Sequence, residues 1–252
     1  MHLSKPPLGV PLEWSNPLNR ELVLHLAMNE GHGDRVYDLS GYGNHGTLKN
    51  FAFPPTVASG WNPGRMEVGL RFDGSNDYIS VDQNNGLPIY SDTSPYSIEI
   101  WVKGSAGQSD KRVFAEGNTA SNTPMFGIGT DYNGINAKCD LFIRDDVGSV
   151  RMAHVQSTND IFDSDWHHIV WVDNNGNAKL YIDGILDATD FSYTPTTITL
   201  NTTSIGALER TSVSSCFNGN IDEVRIYRRA LSAAEILERY INPFGVYLDE
   251  DD

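Results

Sequence analysis

Residues Tyr96-Ser-Ile-Glu-Ile-Trp-Val-Lys103 largely alternate between apolar and polar side chains, which is the pattern of a β-strand with a buried face. Because successive side chains of a strand point to opposite sides, Ile98, Ile100 and Val102 are expected to face the same core. Similar stretches, separated by turn-forming Gly, Asn and Asp, recur along the chain. Strands are predicted over residues 22–26, 69–72, 78–81, 96–103, 112–116, 125–130, 140–144, 150–155, 167–173, 179–182, 203–206 and 220–227.

Two further patterns complete the fold prediction. Lys179-Leu-Tyr-Ile-Asp-Gly-Ile-Leu-Asp187 predicts a β-hairpin, since Asp-Gly between two apolar runs favours a tight turn. Ser232-Ala-Ala-Glu235 is a capping box, which marks the start of a helix. The apolar face of that helix is predicted from residues at helical spacing: Ile236, Leu237, Tyr240 and Ile241. The chain is therefore expected to be an all-β, two-sheet antiparallel jelly-roll sandwich with one short C-terminal helix.

The composition describes a folded chain with a strong negative charge. Its 252 residues include 18 Lys and Arg against 33 Asp and Glu, which gives a net charge of −15. Nucleic acids and anionic membranes both bind clustered positive charge, so we expect neither as a partner. No apolar run approaches the ~20 residues of a membrane-spanning helix, so we expect no membrane insertion. Residues 1–10 lack the apolar stretch of a secretory signal peptide.

The chain contains only two cysteines, Cys139 and Cys216. Two cysteines exclude a disulfide-dense scaffold and a cysteine-rich zinc site. In the absence of an export signal we expect reduced thiols, although the two could pair in an oxidising compartment.

Three segments are predicted along the chain. Residues 1–20 contain four prolines, which exclude a helix or a central strand, so we expect an extended arm. This arm is either a frayed terminus or a strip that lies on a neighbouring subunit. Its apolar residues are spaced two apart: Leu8, Val10, Leu12 and Trp14. Residues 21–244 form one domain without an internal linker, and residues 245–252 form an acidic, solvated tail.

Six short motifs resemble, in the same order, those of laminin-G-like domains, which have the concanavalin A-like jelly-roll fold. They are Asp38-Leu-Ser-Gly-Tyr-Gly-Asn-His-Gly46, Leu70-Arg-Phe-Asp-Gly-Ser-Asn-Asp-Tyr-Ile79, Tyr96-Ser-Ile-Glu-Ile-Trp-Val102, Trp166-His-His-Ile-Val170, Leu180-Tyr-Ile-Asp-Gly184 and Phe217-Asn-Gly-Asn-Ile-Asp-Glu-Val-Arg-Ile-Tyr227. Arg229-Ala-Leu-Ser232 follows the last motif. The resemblance covers residues 21–241 and implies the sandwich that the strand pattern predicts. It implies no single function, because this fold carries lectins, adhesins, carbohydrate-binding modules, glycosidases and virion proteins.

The resemblance also implies a structural calcium ion. In the family, the early loop and the aspartate of the last Ile-Asp-Glu-Val strand meet around a metal on the outer, convex side of the sandwich. Carried over residue by residue, this gives Asp38, Asn44 and Asp222 as ligands. Carboxylate, amide and carbonyl oxygens in an irregular loop suit Ca²⁺. The alternative is that Asp38 and Asn44 only close the loop through hydrogen bonds to backbone amides.

No catalytic site is predicted. Catalytic relatives of this fold place two carboxylates on one strand as a Glu-Ile/Val-Asp-x-x-Glu run, and glycoside hydrolysis needs them within roughly 5–10 Å. Neither Ser97-Ile-Glu-Ile-Trp101 nor Ile221-Asp-Glu-Val224 has that spacing. Asp222 and Glu223 are adjacent, so a regular strand would direct them to opposite faces. We therefore expect a protein without enzymatic activity.

A ligand-binding patch is expected in the polar loops around the middle strands. Lectins of this fold stack aromatic rings on sugars and bind hydroxyl groups with Asp, Asn and Arg. The candidates here are Tyr132, Asn133, Asn136 and Arg144. The alternative is that these Gly-, Asn- and Asp-rich loops only turn the corners of the sandwich.

The tryptophans of the domain divide into two groups. Trp101, Trp166 and Trp171 lie in predicted strands and are expected to fill the space between the sheets. Trp61 lies among Gly and Pro in a predicted loop and is expected to be more exposed.

These patterns favour a non-catalytic binding or adhesion module that recognises glycans on a cell or particle surface. The alternative is a structural protein of a phage or virus, a capsid decoration or fibre component that uses the sandwich as an exposed knob. In that case residues 1–20 would contact capsid or fibre subunits. Both interpretations place the protein in the extracellular space or on a virion surface.

Overall fold

The computed structural model describes residues 5–91 and 95–248, and in these residues the chain forms eighteen β-strands and one α-helix. The strands are β1 (Leu22–Leu26), β2 (Arg35–Val36), β3 (Gly46–Lys49), β4 (Gly60–Pro63), β5 (Val68–Asp73), β6 (Tyr78–Val81), β7 (Tyr96–Ser105), β8 (Arg112–Asn118), β9 (Ser121–Thr130), β10 (Lys138–Arg144), β11 (Val150–Asp160), β12 (Asp163–Asn174), β13 (Asn177–Ile182), β14 (Ile185–Leu186), β15 (Thr202–Ile205), β16 (Leu208–Glu209), β17 (Val213–Ser214) and β18 (Asn218–Tyr227). Helix α1 is Ala233–Ile241, and short 3-10 turns cover Pro17–Asn19 and Ile89–Ser91. Every predicted strand overlaps an observed one, and the strands that were not predicted are two to four residues long.

Two antiparallel sheets of eight strands each form the body of the molecule. In the first sheet the strand order is β14-β13-β12-β7-β18-β5-β4, and β1 also pairs with β18. In the second sheet the order is β11-β10-β9-β8-β15-β6-β3-β2. Strands β16 and β17 form a separate small hairpin. The predicted all-β, two-sheet jelly-roll sandwich with one short C-terminal helix is confirmed.

The main core lies between the two sheets. Ile98, Ile100 and Val102 of β7 all belong to it, as the alternation of that strand predicts. Phe114 and Phe126 of the second sheet are fully buried in the same core. Burying an apolar side chain of this size contributes about 1.5–3 kcal/mol, so the inward-facing positions hold the two sheets together.

The tryptophans occupy places that the strand pattern only partly predicts. Trp171 lies in the main core. Trp101 points to the outer side of the first sheet, where its ring lies 5.8 Å from that of Tyr240 in α1, and Trp166 is only half-buried. The expectation for Trp61 was wrong, because this residue lies in β4, is 6 % exposed, and donates its indole N–H to the Gly33 carbonyl at 2.9 Å.

The Asp-Gly turn between β13 and β14 confirms the predicted hairpin. Asp183 and Gly184 have φ values of 52° and 80°, so both central residues adopt the left-handed conformation of a tight two-residue turn. Glycine adopts this conformation without steric cost.

A second apolar layer covers the outer face of the first sheet. Its buried members are Leu12, Leu22, Val170, Val172, Tyr181, Tyr227, Leu231, Ile236, Phe244, Val246 and Tyr247. Because Leu12 is buried here, part of the arm packs against its own chain, whereas Leu8 and Trp14 remain exposed. The expectation of a solvated tail was wrong for its first part, since Val246 and Tyr247 are buried. Residues 1–4 of the arm and 249–252 of the tail lie outside the described residues.

Helix α1 begins as predicted but buries a different face. Ser232 and Glu235 form the capping box, in which each residue accepts a hydrogen bond from the backbone N–H of the other. Leu237 is 44 % exposed, however, and the buried residues of the helix are Ile236 and Arg239. Arg239 faces the sheet because its guanidinium pairs there with a buried carboxylate, so the predicted apolar face is only partly correct.

Candidate functional site

A hollow of about 290 Å³ lies where strands β8 to β11 meet the β16–β17 hairpin. It combines aromatic rings with guanidinium groups, which are contributed by Tyr132, Phe142, His154, Arg112, Arg144 and Arg210. We call this site the Tyr132 hollow.

The alternation of β10 places the hollow on the outer face of the second sheet. Leu141 and Ile143 lie in the main core. The intervening residues of the strand, Asp140, Phe142 and Arg144, therefore point outward. Phe142 and Arg144 line the hollow, and Asp140 lies beside them on the same face.

Two glycines make room for the walls of the hollow. A Cβ atom at Gly127 would lie 2.9 Å from the Cδ atom of Arg112, so the side chain of Arg112 can lie across β9 only because residue 127 is glycine. A Cβ atom at Gly117 would lie 2.1 Å from the carbonyl oxygen of Glu209. The β16–β17 hairpin can therefore pack closely on β8.

Three rings are stacked along one side of the hollow. The centroid of the His154 ring lies 4.5 Å from that of Phe142 and 4.1 Å from that of Tyr132. His154 has a φ of 53°, in a strand whose register is interrupted by bulges, and its Nδ1 atom lies 2.9 Å from Oδ1 of Asp140. Strained backbone of this kind is concentrated at functional sites. Tyr132 ends the stack and is 48 % exposed, so its ring is accessible from solvent.

The loop that carries Tyr132 is closed by Asp131. The carboxylate of Asp131 accepts hydrogen bonds from the backbone N–H groups of Asn133, Ile135 and Asn136, at 2.7–3.2 Å. Although burial acts to raise the pKa of Asp131, these hydrogen bonds lower it below its ordinary value. The loop is thereby held in one conformation beside the hollow.

The structure brings together two of the four predicted ligand-binding residues. Tyr132 and Arg144 both line the hollow. Asn133 and Asn136 lie in the adjoining loop, and the side-chain amide of Asn136 donates to Oε1 of Gln156 at 3.1 Å. The assignment of all four residues to a binding site stays a prediction.

A buried charge cluster lies at one side of the hollow. Arg112 is fully buried, and its guanidinium contacts the carboxylate of Asp110 and lies 3.5 Å from Oδ1 of Asp140. Burial raises the pKa of Asp140, an effect that His154 and Arg112 oppose. Among the described residues, neither Nε of Arg112 nor Oδ2 of Asp140 has a hydrogen-bond partner. Buried polar atoms without a partner are uncommon in folded proteins, and these two are available to form further hydrogen bonds.

The sequence-based prediction missed four of the residues that contribute rings or guanidinium groups to the hollow: Arg112, Phe142, His154 and Arg210. A signal was present for Phe142, since it lies two residues before Arg144 on the same strand face. No local pattern marks Arg112 or Arg210, because their place in the site depends on the packing of β8 and of the hairpin.

A larger hollow of about 480 Å³ lies between the arm and the loop before β2. Its polar groups mainly close the protein's own loop: Oε1 of Glu30 accepts from the Tyr37 N–H at 2.8 Å, and Nδ1 of His32 lies 2.7 Å from the Glu30 carbonyl. The smaller Tyr132 hollow is the better candidate, because it joins an accessible ring stack to several cationic side chains.

Asp38 and Asn44 are brought together in the loop between β2 and β3. The carboxylate of Asp38 accepts four hydrogen bonds at 2.7–2.9 Å, from the N–H groups of His25, Ser40 and Asn44 and from the Ser40 hydroxyl. The side-chain amide of Asn44 donates to the Val23 carbonyl at 2.9 Å. These are the loop-closing contacts of the alternative interpretation, and an ion at Asp38 would have to displace some of them.

Asp222 is held by the arm. Its carboxylate contacts the ammonium group of Lys5 and accepts a hydrogen bond from the Arg65 N–H at 2.9 Å. The same ammonium donates to the carbonyls of Ala27 and Met28, at 2.7 and 3.1 Å. Burial raises the pKa of Asp222 to about 7, and the Lys5 ammonium opposes this effect. The cation that Asp222 contacts here is Lys5, and calcium at this residue stays a prediction.

The expectation that Asp222 and Glu223 point to opposite faces was wrong. Ile221 and Val224 both lie in the main core, and Glu223 has a φ of 50° at a bulge in β18. A bulge adds a residue on one side of a strand, so both carboxylates lie on the outer face. Glu223 lies there with one carboxylate oxygen 3.0 Å from Nε2 of His25.

Glu99 is fully buried beneath helix α1 among cationic groups. Its carboxylate oxygens lie 3.0 Å from Nη1 of Arg225, 3.2 Å from Nε of Arg239 and 3.1 Å from Nε2 of His168. Burial alone would raise the pKa of Glu99, but the two guanidinium groups hold it well below its ordinary value. A carboxylate held ionised in this way is poorly suited to donate a proton in catalysis.

Three further observations concern the described residues. Over residues 5–91 and 95–248, no group of three or more His, Cys, Asp or Glu is placed to hold a metal ion. None of the helical segments described is long and apolar enough to cross a membrane. Cys139 and Cys216 are both buried and free, and the expectation of reduced thiols stays a prediction.

Comparison with solved structures gives relatives with the same fold. The chain is similar to domain 4 of AbnA, a GH43 extracellular arabinanase from Geobacillus stearothermophilus in complex with arabinotriose, with a TM-score of 0.62 and 20 % identity over 86 % of this chain and 97 % of that chain. It is also similar to a structure of botulinum neurotoxin type C, whose cell entry depends on interaction with two ganglioside molecules (TM-score 0.65, 17 % identity, 90 % of this chain and 52 % of that chain). A third relative is the binding domain of botulinum neurotoxin DC in complex with rat synaptotagmin II (TM-score 0.63, 18 % identity, 89 % and 52 %). The chain spans about half the length of these two toxin chains, and at such identities the likeness shows the fold alone.

Comparison at the level of sequence identifies the family. No curated protein sequence matches the chain. The laminin G family model described as concanavalin A-like lectin/glucanases superfamily matches residues 73–237, which is more than half of the chain. That region contains most of the second sheet, the Tyr132 hollow and the start of α1. The chain therefore belongs to the concanavalin A-like lectin/glucanase superfamily.

Proposed function

We propose that the protein is a non-catalytic carbohydrate-binding module and that the Tyr132 hollow is its binding site. The observation that carries the proposal is the accessible ring of Tyr132 at the end of the three-ring stack, beside guanidinium groups. Ligand sites typically combine apolar or aromatic walls with a few well-placed polar groups. A sugar suits such a site, because its C–H face packs on an aromatic ring while its hydroxyls bond to the polar groups.

The relatives support a binding role. One was solved with arabinotriose, and the cell entry of another depends on gangliosides, so domains of this shape accompany carbohydrate recognition in both proteins. The buried carboxylates support binding without catalysis. Glu99 and Glu223 are enclosed among arginine and histidine side chains, and Asp222 contacts Lys5.

A glycan array followed by calorimetric titration tests this proposal. We expect the wild-type protein to bind at least one oligosaccharide without cleaving it, and Tyr132→Ala to weaken that binding by about tenfold, or ~1.4 kcal/mol. Tyr42→Ala is the matched control, since Tyr42 is also an exposed tyrosine in a loop but lies outside the hollow. Equal losses in the two variants, or release of reducing sugar by the wild-type protein, would contradict the proposal.

Attachment to a particle is a second candidate role, with the protein outside the cell or on a virion surface. One observation favours it: Leu8 and Trp14 of the arm are 58 % and 55 % exposed, so they are available to a capsid, fibre or other subunit. Replacing both residues by serine keeps the buried contacts of Lys5 and Leu12. Attachment predicts that this double variant sediments as a smaller species than the wild-type protein, whereas identical monomeric profiles would contradict it.

A further inference from the structure

The Tyr132 hollow has a charge opposite to that of the whole chain. The chain carries a net charge of −15. Three arginines line the hollow, namely Arg112, Arg144 and Arg210, and Asp110 is the one acidic residue among the described residues that line it. The lining therefore carries a formal charge of about +2, and the neighbouring carboxylate of Asp140 reduces this only to about +1.

Arg144 and Arg210 supply the excess positive charge. Arg144 donates from Nε to the Thr123 carbonyl at 2.5 Å and from Nη2 to the Asn122 carbonyl at 2.8 Å. Arg210 donates from Nη1 to the same Asn122 carbonyl. Among the described residues neither guanidinium forms an ion pair with a carboxylate, and the buried Nε atom of Arg210 has no partner. Backbone carbonyls thus fix both groups in place, and the negative charge that acts on Arg210, the carboxylate of Asp110, forms no salt bridge with it.

The two guanidinium groups also act on each other. Burial lowers the pKa of Arg210, and the positive charges of Arg144 and Arg112 lower it further, while the carboxylate of Asp110 opposes this effect. A purely structural role, in which the arginines tie the β16–β17 hairpin to β9, would need only the hydrogen bonds to Asn122 and Thr123. Neutral side chains could supply such bonds without this repulsion.

We infer that the Tyr132 hollow selects sugars that carry an anionic group, a carboxylate or a sulfate ester; this inference rests on the proposed function. The anion would lie against Arg144 and Arg210, whose planar guanidinium groups suit bidentate contact with such oxygens. The sugar ring would pack on Tyr132. A free inorganic anion has no ring and would make no such contact. Extended polyanions are disfavoured, because the charge of −15 on the whole chain repels them.

The test is calorimetric titration of the full chain with matched pairs of neutral and acidic probes. The pairs are galactotriose and trigalacturonic acid, lactose and 3′-sialyllactose, and lactose and lactose 3′-sulfate. We expect an acidic probe to bind at least tenfold more tightly than its neutral partner, with a preference that weakens as NaCl is raised. Arg144→Gln and Arg210→Gln should each remove about tenfold of the acidic affinity and lower the neutral affinity by a smaller factor, so that the preference for the acidic probe falls. Arg35→Gln is the control, because Arg35 pairs with Asp82 outside the hollow.

The outcomes separate the inference from the proposed function. If neutral partners bind as tightly and neither variant changes the acidic affinity, the inference is wrong and the proposed function stands. If no probe binds, both are wrong for these sugars. Comparison of the two carboxylate-bearing probes with the sulfated probe shows which anion is preferred. Sodium sulfate that binds as tightly as the acidic probes would overturn the inference, since the hollow would then take a free anion. Melting curves show whether each variant is folded. If one arginine variant does not fold, the other still tests the inference.

Discussion

Replacing Arg239 by methionine tests whether helix α1 is held to the sheet by charge or by the apolar face that its sequence displays. Arg239 is fully buried, and its Nε and Nη2 atoms lie 3.2 and 3.3 Å from the carboxylate of Glu99. Removing one partner of a buried ion pair costs about 3–5 kcal/mol, because the other charge stays buried. Arg225, 3.0 Å from Glu99, remains as a partner, so we expect a loss near 3 kcal/mol in the free energy of unfolding.

Urea denaturation at pH 7, followed by tryptophan fluorescence, measures this loss by linear extrapolation. Trp101 is a suitable reporter, since its ring stacks on Tyr240 of the same helix. Leu237→Ala is the matched control: the sequence pattern predicts a buried Leu237, but the structure exposes it, so we expect a change within about 0.5 kcal/mol. A loss below about 1 kcal/mol for Arg239→Met, or an equal loss for Leu237→Ala, would refute the charge-based account of the helix.

Three further predictions concern buried groups. Burial raises the pKa of Glu116 from 4.5 to about 7, so the native state holds its proton more tightly than the unfolded chain. The free energy of unfolding should therefore fall by up to about 3 kcal/mol as the pH rises from below 4.5 to above 7. Urea titrations at several pH values measure this dependence, and Glu116→Gln should make it flatter. The same pH dependence in the variant would contradict the prediction. If calcium binds at the sites implied by the resemblance, free calcium at a hundredfold excess over Kd stabilises the native state by ~2.7 kcal/mol, so a chelator should lower Tm. Asp222→Ala should abolish this response. Equal Tm values with calcium and with chelator would contradict the prediction. Deleting residues 2–17 removes the buried Lys5 and Leu12, so we expect a lower Tm in calorimetry, and an unchanged Tm would show that the arm adds no stability.

Features that depend on local sequence could be predicted, and features that depend on packing could not. The Asp183-Gly184 turn and the capping box at Ser232 are set by residues adjacent in sequence, and both have the predicted form. The bulge at Glu223 reverses the side of one residue within a strand, and no local pattern marks it. The burial of Arg239 depends on Glu99, which is 140 residues away in sequence.

The candidate site shows the same division. Tyr132 and Arg144 could be proposed from residue type alone, since a polar loop and an outward strand position supply them. Arg112 reaches the hollow across Gly127 of the next strand, and Arg210 reaches it from a hairpin that packs on Gly117. Both positions require knowledge of which strands are neighbours, and that information is not contained in any single stretch of the sequence.

The most direct test of the central claim is to map the carbohydrate site by nuclear magnetic resonance. The ¹⁵N-labelled protein is titrated with the oligosaccharide that binds most tightly in the glycan array, and the amide shift of each residue is followed. We predict that the largest changes occur around the Tyr132 hollow, at Asn133, Arg144, His154 and Arg210. Changes concentrated instead at residues 29–37, beside the larger hollow near the arm, would contradict the assignment of the site.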